Sequence, residues 1–78
     1  MLTTDEIAEI NLLAHFTLNS TQEGLKIHAH EASEETVAAA ARLHERGLTT
    51  LPDGGYLTSL GLDAAAHCQG LLTILRSR

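Results

Sequence analysis

The residues whose chemistry would be most specific are five histidines and a single cysteine in a chain of 78 residues. His28 and His30, together with Glu31 or Cys68, are the candidate ligands of a metal ion. Zinc sites use three or four ligands at recognisable spacings such as Cys-x-x-Cys or His-x-x-x-His, and the sequence has neither spacing. We therefore expect no metal and no other cofactor, and interpret the histidines as surface or half-buried side chains. A pH-responsive role for His28 and His30 is the alternative.

Enzymatic chemistry has no support in the residue pattern either. Cys68 falls in a helical pattern, where we expect a buried apolar residue without an activating base. Glu34 and Glu35 are adjacent at the start of a predicted helix, where the helix dipole favours acids, so they are not an aligned acid–base pair. Gly54 and Gly55 lie in a predicted hairpin and open no helix, so they form no phosphate-binding loop. We predict a protein that is not an enzyme.

Composition and charge limit the class of protein. Apolar residues make up 44% of the chain, which is enough for one aliphatic core, so we expect one domain over residues 1–78. Ten acids against five bases give a net charge of −5, which opposes non-specific attraction to nucleic acid or anionic membrane. The single cysteine excludes an intramolecular disulfide, and the sequence shows no signal peptide and no membrane-spanning run. We expect a cytoplasmic protein without a membrane partner.

Capping patterns predict where the first two helices begin. Thr3 and Glu6 have the capping-box spacing, which predicts a first helix that ends near Phe16. A brief extended segment is expected at residues 17–18, where it would pair with the hairpin described below. A second capping-box spacing predicts a second helix over roughly residues 21–29.

The third helix has clear signals at both of its ends. Ser33 is the predicted N-cap. Gly47 stands where a helix is commonly terminated by a residue with positive φ, and Leu43 and Leu48 have the spacing of the apolar contact that accompanies this cap. We therefore predict a helix that begins after Ser33 and ends just before Gly47.

A short hairpin is expected to follow the third helix. Residues 48–51 can form a strand that Pro52 ends, because proline lacks an N–H donor. Asp53-Gly54 is a strong turn signal, since both residues tolerate positive φ, and residues 56–58 can form the return strand. Thr58 is then the predicted N-cap of a last helix that runs from about Ser59 to Arg76.

Residues 20–61 resemble the helix-turn-helix and wing of bacterial winged-helix regulators. The resemblance rests on Leu43-x-x-x-Gly47-Leu48, the Gly54-Gly55 wing tip, and Leu57-Thr58-x-x-Gly61. It implies a mostly α fold with four helices, a short strand after the first helix, and a hairpin wing before the long last helix. The whole chain also resembles a small family of uncharacterised bacterial proteins of about this length, through its Gln-Glu-Gly-Leu-Lys-Ile-His and Asp-Gly-Gly-Tyr-Leu-Thr segments.

The first resemblance implies a DNA-binding module related to transcription regulation, in which the third helix enters the major groove. The expected contacts to double-stranded DNA come from the bases and histidines of the second and third helices: Lys26, His28, His30, Arg42 and Arg46. The chain departs from the regulators where Glu34 and Glu35 occupy the first turn of the third helix, and where the wing tip lacks Arg or Lys.

The alternative is a protein-interaction module that has kept the winged-helix fold and lost DNA binding. Acidic residues would then meet a basic partner protein: Glu34, Glu35, Glu45 and Asp53. The DNA-binding module is expected to act as a homodimer through its last helix, because that helix is apolar on more than one side near its C-terminus. The residues expected at the dimer contact are Leu71, Leu72, Ile74 and Leu75.

Overall fold

The computed structural model describes residues 1–16, 25–26 and 32–77, which contain three helices and one three-stranded antiparallel sheet. The elements in chain order are α1 (Thr4–His15), β1 (Leu25–Lys26), α2 (Glu34–Glu45), β2 (Thr49–Leu51), β3 (Gly54–Leu57) and α3 (Ser59–Arg76). The sheet order is β1-β3-β2, so β3 is its central strand. The fold is therefore mostly helical with a small β-sheet, as the sequence predicts.

The predicted cap of the first helix is confirmed. Thr3 Oγ1 accepts a hydrogen bond from the Glu6 N–H at 3.0 Å, and Glu6 Oε1 accepts one from the Thr3 N–H at 2.8 Å. Accepting the Thr3 backbone N–H stabilises the ionised carboxylate and lowers the pKa of Glu6 below its ordinary value. Helix α1 ends at His15, and Phe16 takes an extended conformation, as expected.

The predicted second helix over residues 21–29 is wrong where the structure describes it. Leu25 and Lys26 form a strand, in which Leu25 pairs with Gly55 and Lys26 pairs with Gly54. An isolated hairpin is only marginally stable in water. Pairing of Leu25 and Lys26 with β3 therefore stabilises the fold more than a short helix at these residues would. A third strand was expected at residues 17–18, which lie outside the described residues.

The cap between α2 and the hairpin has the predicted geometry. Ser33 caps the start of α2. At its end, the Leu48 N–H donates to the Leu43 carbonyl and the Gly47 N–H donates to the His44 carbonyl, each at 3.0 Å. Gly47 has a φ of +79°, which is the left-handed conformation that this pair of hydrogen bonds requires. The chain therefore leaves α2 in a fixed direction and enters β2.

The hairpin is confirmed, but its positive φ angles fall one residue later than predicted. Pro52 and Asp53 occupy the turn, and the positive φ angles belong to Gly54 (+118°) and Gly55 (+75°). The pairing register shifts by one residue between the Thr49–Leu57 pair and the Leu51–Gly54 pair. Glycines absorb this irregularity because they have no Cβ.

The last helix begins at the predicted cap and packs closely on the α2–β2 junction. Thr58 Oγ1 accepts from the Gly61 N–H at 3.1 Å and donates to the Gly47 carbonyl, while the Thr58 N–H donates to the Leu48 carbonyl. A Cβ on Gly61 would lie 1.9 Å from the Leu48 carbonyl oxygen. Only glycine therefore allows α3 to begin where it does.

A small aliphatic core lies where the three helices meet. Two alanines of α2 and one of α3 are essentially fully buried, which lets the helices approach closely. The buried cluster comprises Leu12, Leu13, Ala39, Ala40, Leu43 and Ala65.

Substituting Gly61 tests the close contact between α3 and the junction. We expect Gly61→Ala to lower the free energy of unfolding by at least about 2 kcal/mol, because backbone atoms must move to admit the methyl group. Gly70→Ala is the matched control in the same helix. Its Cβ would contact nothing within 4 Å, so this variant should gain about 0.5–1 kcal/mol. Urea denaturation at a low protein concentration measures both, and equal stability of the two variants would contradict the packing described.

Candidate interaction surfaces

Glu9 is a buried carboxylate that joins α1 to α2. The residue is 6% exposed. Its Oε2 accepts from Arg42 Nε at 3.2 Å, and its Oε1 accepts from Arg46 Nη1 at 2.5 Å. Arg42 Nη2 also lies 3.7 Å from Asp5 Oδ1. Each oxygen of the buried carboxylate thus has its own guanidinium, which compensates the charge that burial would otherwise penalise.

This pairing engages two of the residues predicted to contact DNA. Arg42 is largely covered, whereas the side chain of Arg46 is 63% exposed and keeps free donors. Lys26 lies on β1, opposite Gly54 of the hairpin, so the backbone brings it to the sheet rather than to a helix. Of the predicted DNA contacts, the structure therefore brings Arg42 and Arg46 together, at the carboxylate of Glu9. The other two, His28 and His30, lie outside the described residues.

The acidic residues predicted to meet a basic partner do not form one cluster. Glu34 and Glu35 are exposed in the first turn of α2, and Glu45 is exposed at its last residue, about 16 Å away along the helix axis. Asp53 lies in the hairpin turn, where it is half-buried and engaged in a contact. Only Glu34 and Glu35 share a surface on α2.

A cleft of about 300 Å³ runs along α1 beside the first turn of α2. Ile7 and Leu12 supply its apolar lining, and Asn11, His15 and Glu35 supply polar groups. The His15 Nδ1–H donates to the Asn11 carbonyl at 2.6 Å. The cleft has the size and lining to hold an apolar side chain next to the Glu35 carboxylate, which suits a segment that also carries a cation.

The outward side of α3 carries the largest exposed aliphatic surface of the described chain on a single helix. Leu71 is 56% exposed, Ile74 is 71% and Leu75 is 69%. Leu60, in the first turn of the same helix, is 57% exposed. Leu72 was predicted with these residues, but it is half-buried because its position faces the same side as Ala65 and Cys68.

Cys68 and the described histidines form no reactive or metal-binding cluster. Cys68 is half-buried, and its Sγ donates to the Ile10 carbonyl at 3.5 Å. Partial burial raises the pKa of the Cys68 thiol, which disfavours the nucleophilic thiolate. Among residues 1–16, 25–26 and 32–77, no group of three or more His, Cys, Asp or Glu side chains is arranged to hold a metal ion. No helix of this part of the chain is long and apolar enough to cross a membrane.

A protein-family model matches residues 1–76. The chain belongs to the family of unknown function DUF5669. Neither a curated protein nor a solved structure gives a significant match. This match agrees with the expected resemblance to a small uncharacterised family, and it does not support the resemblance to winged-helix regulators.

The role of Glu9 was not predicted from the sequence, although the sequence carries a signal for it. Asp5 and Glu9 are four residues apart, and so are Arg42 and Arg46. Residues at this spacing lie on one face of a helix. Two helices with complementary pairs of charges can therefore pack with those faces together, as α1 and α2 do.

Removing the Glu9 charge should destabilise the fold. We expect Glu9→Gln to lower the free energy of unfolding by about 1–3 kcal/mol, a range reduced because Arg46 is largely exposed to solvent. Glu45→Gln, which removes an exposed carboxylate from α2, should change it by less than about 0.5 kcal/mol. Urea denaturation compares the two variants. A Glu9→Gln protein as stable as Glu45→Gln would show that the buried pairing contributes little.

Proposed function

We propose that this protein is a non-enzymatic protein-interaction module that acts as a homodimer through the outward face of α3. The observation that carries the proposal is the exposure of Leu71, Ile74 and Leu75 on one helix of a small chain. Apolar surface of this kind, grouped on a single element, is typical of a protein interface. A second copy offers the same surface, so a two-fold pairing would cover both.

The electrostatics favour this module over a DNA-binding one. DNA-binding affinity depends on cations that neutralise phosphates. Here Arg42 and Arg46 are paired with Glu9, and the net charge is −5. The first turn of α2, where a recognition helix would approach DNA, carries Glu34 and Glu35. Carboxylates at that position would repel the phosphate backbone.

The same acidic turn supports a basic protein as the further partner. Glu35 lies at the cleft along α1, and Glu34 is exposed beside it. A segment with a lysine or arginine next to an aliphatic residue would place its cation at these carboxylates and its apolar side chain against Ile7. The dimer would then present two such surfaces. A regulatory role follows if the partner is itself a regulator.

A second candidate function is DNA binding by a winged helix-turn-helix domain. Two observations favour it: the hairpin directly follows α2, and β3 pairs with a strand from earlier in the chain, in the order β1-β3-β2. Arg46 also keeps exposed donors that could reach a phosphate. This function needs local cations that outweigh the acidic turn of α2.

Charge at the outward face of α3 should abolish the dimer. We expect the wild-type chain to sediment as a dimer and Ile74→Glu to sediment as a monomer, because a carboxylate would be buried without a partner. Thr73→Glu is the matched control: it adds the same charge at the adjacent exposed position, away from Leu71 and Leu75. Sedimentation velocity over a range of concentrations measures the association. A monomeric wild-type chain at high concentration would remove the proposed homodimer.

Binding to duplex DNA distinguishes the two candidate functions. We expect no binding to mixed-sequence duplex at about 50 mM salt, because the charged surface of α2 is acidic. Binding that weakens steeply between about 50 and 200 mM salt would instead support the winged-helix regulator. Glu34→Lys/Glu35→Lys is the control variant, since it converts the acidic turn into a basic one and should gain salt-dependent binding if the fold can approach DNA. Fluorescence anisotropy with a labelled duplex measures DNA binding by the wild-type chain and by this variant.

A further inference from the structure

We propose that the cleft along α1 binds a short extended segment of a basic partner protein, in which an aliphatic residue and a lysine or arginine stand two positions apart. The proposal rests on the protein-interaction function proposed above, and it specifies the form and spacing of the segment that the cleft recognises. The cleft is formed within one copy of the chain, so its binding does not require the homodimer.

One face of α1 forms the floor of the cleft along the whole helix. The floor residues recur at spacings of three and four: Thr4, Ile7, Ala8, Asn11, Leu12 and His15. From the first to the last of them the helix rises about 16 Å. Glu35 and Thr36, in the first turn of α2, line the cleft beside this face. A volume of about 300 Å³ spread over such a length is a narrow groove.

The volume of the cleft suits a single row of side chains. A helix about 16 Å long and about 10 Å in diameter occupies more than about 1,000 Å³. The cleft offers about 300 Å³, which is the lower end of the range for ligand pockets. An extended segment advances about 3.3 Å per residue, so about five residues cover the same length. The cleft therefore matches a short linear segment in size.

Polar groups in the lining favour an extended segment over a helix. An extended segment brings backbone N–H and C=O groups that need partners, whereas a helix satisfies most of its own. The side-chain amide of Asn11 can donate and accept, and hydroxyls of Thr4, Ser33 and Thr36 also line the cleft. These groups can pair with the backbone of a bound segment while its apolar side chain covers Ile7.

Charge complementarity requires the segment to be basic. Glu35 lines the cleft, and Glu34 is exposed beside it. The N-terminus of α2 contributes the equivalent of only about half a positive charge, so two carboxylates leave this turn negative. The described lining of the cleft contains no lysine or arginine. A cationic side chain is therefore attracted to Glu35, and an acidic segment is repelled.

The spacing of two follows from the geometry of an extended chain. Ile7 is 47% exposed, so an aliphatic side chain laid on it removes apolar surface of both partners from water. Successive side chains of an extended segment point to opposite sides, so two that face the same cleft are two positions apart. The long, flexible stem of a lysine or arginine then lets its charge reach Glu35.

Labelled peptides test the composition and the spacing of the segment on the full chain. The probe is fluorescein-labelled Ser-Lys-Ser-Leu-Ser-Lys-Ser, capped at both ends, which carries a lysine two positions from the leucine in either direction. We expect saturable binding with a Kd below about 1 mM at about 50 mM salt. The permuted peptide Ser-Ser-Lys-Leu-Lys-Ser-Ser has the same composition but points leucine and lysine to opposite sides. It should bind at least about three-fold more weakly, as should the peptide with glutamine in place of lysine.

Matched variants of the protein locate the binding at the cleft. Glu35→Gln should weaken the lysine peptide about three-fold and leave the glutamine peptide unchanged, because only lysine pairs with the carboxylate. Glu45→Gln removes an exposed carboxylate from the other end of α2 and should change neither. Ile7→Gln should weaken both peptides at least about five-fold. Leu51→Gln is its control, since Leu51 has nearly the same exposure, 48%, and is not among the residues that line the cleft.

Three results overturn the inference. The first is a wild-type chain that shows no saturable binding up to about 1 mM. The second is an affinity that neither Glu35→Gln nor Ile7→Gln changes, because the peptide then binds elsewhere. The third is equal affinity for the permuted peptide, which removes the extended form and its spacing.

Sedimentation separates this inference from the proposed homodimer. Ile74→Glu should bind the lysine peptide as the wild-type chain does, because Ile74 does not line the cleft. A monomeric wild-type chain that binds the peptide removes only the homodimer, whereas a dimeric chain that does not bind removes only this inference. An Ile7→Gln variant that sediments as a monomer, beside a dimeric wild-type chain, would assign the cleft to a second copy and overturn the proposed partner.

Discussion

The carbonyl of Leu48 lies so close to Gly61 that a methyl group cannot fit between them, and the arrangement of the other elements depends on this contact. The same carbonyl accepts a hydrogen bond from Thr58, and Thr58 in turn contacts Gly47 and caps α3. The end of α2, the base of the hairpin and the start of α3 are thereby fixed at one point. From that point α3 reaches the core through Ala65, while its outer face is left to solvent.

The features that the sequence predicts well are those determined by a few neighbouring residues. The helix caps all depend on hydrogen bonds between residues at most five apart, so their patterns can be recognised in the sequence. They are the capping box at Thr3, the N-caps at Ser33 and Thr58, and the glycine cap at Gly47. The hairpin is predictable for the same reason, although its positive φ angles belong to Gly54 and Gly55 instead of Asp53 and Gly54. Such local patterns were sufficient for the three described helices and the hairpin.

The features that the sequence did not predict depend on partners far along the chain. Leu25 and Lys26 form a strand because β3 offers a free edge some thirty residues later, and no local pattern reports that edge. Glu9 is buried because Arg42 and Arg46 come from α2 to meet it. Arg42 and Arg46, which the sequence predicts as DNA contacts, are thus partly used to hold α1 against α2, and no pattern local to either helix reports this pairing.

The border of the sheet at β2 is poorly suited to accept a strand from another chain. In the described part of the chain β2 forms one border of the sheet; it has three residues, its pairing register is irregular, and Pro52 follows it directly. Short, bent borders that end in proline resist the edge-to-edge growth that leads to amyloid-like aggregates. The exposed aliphatic side chains of α3 lie instead on a helix, whose backbone hydrogen bonds are made within the helix, so this apolar surface offers no strand edge for open-ended polymerisation.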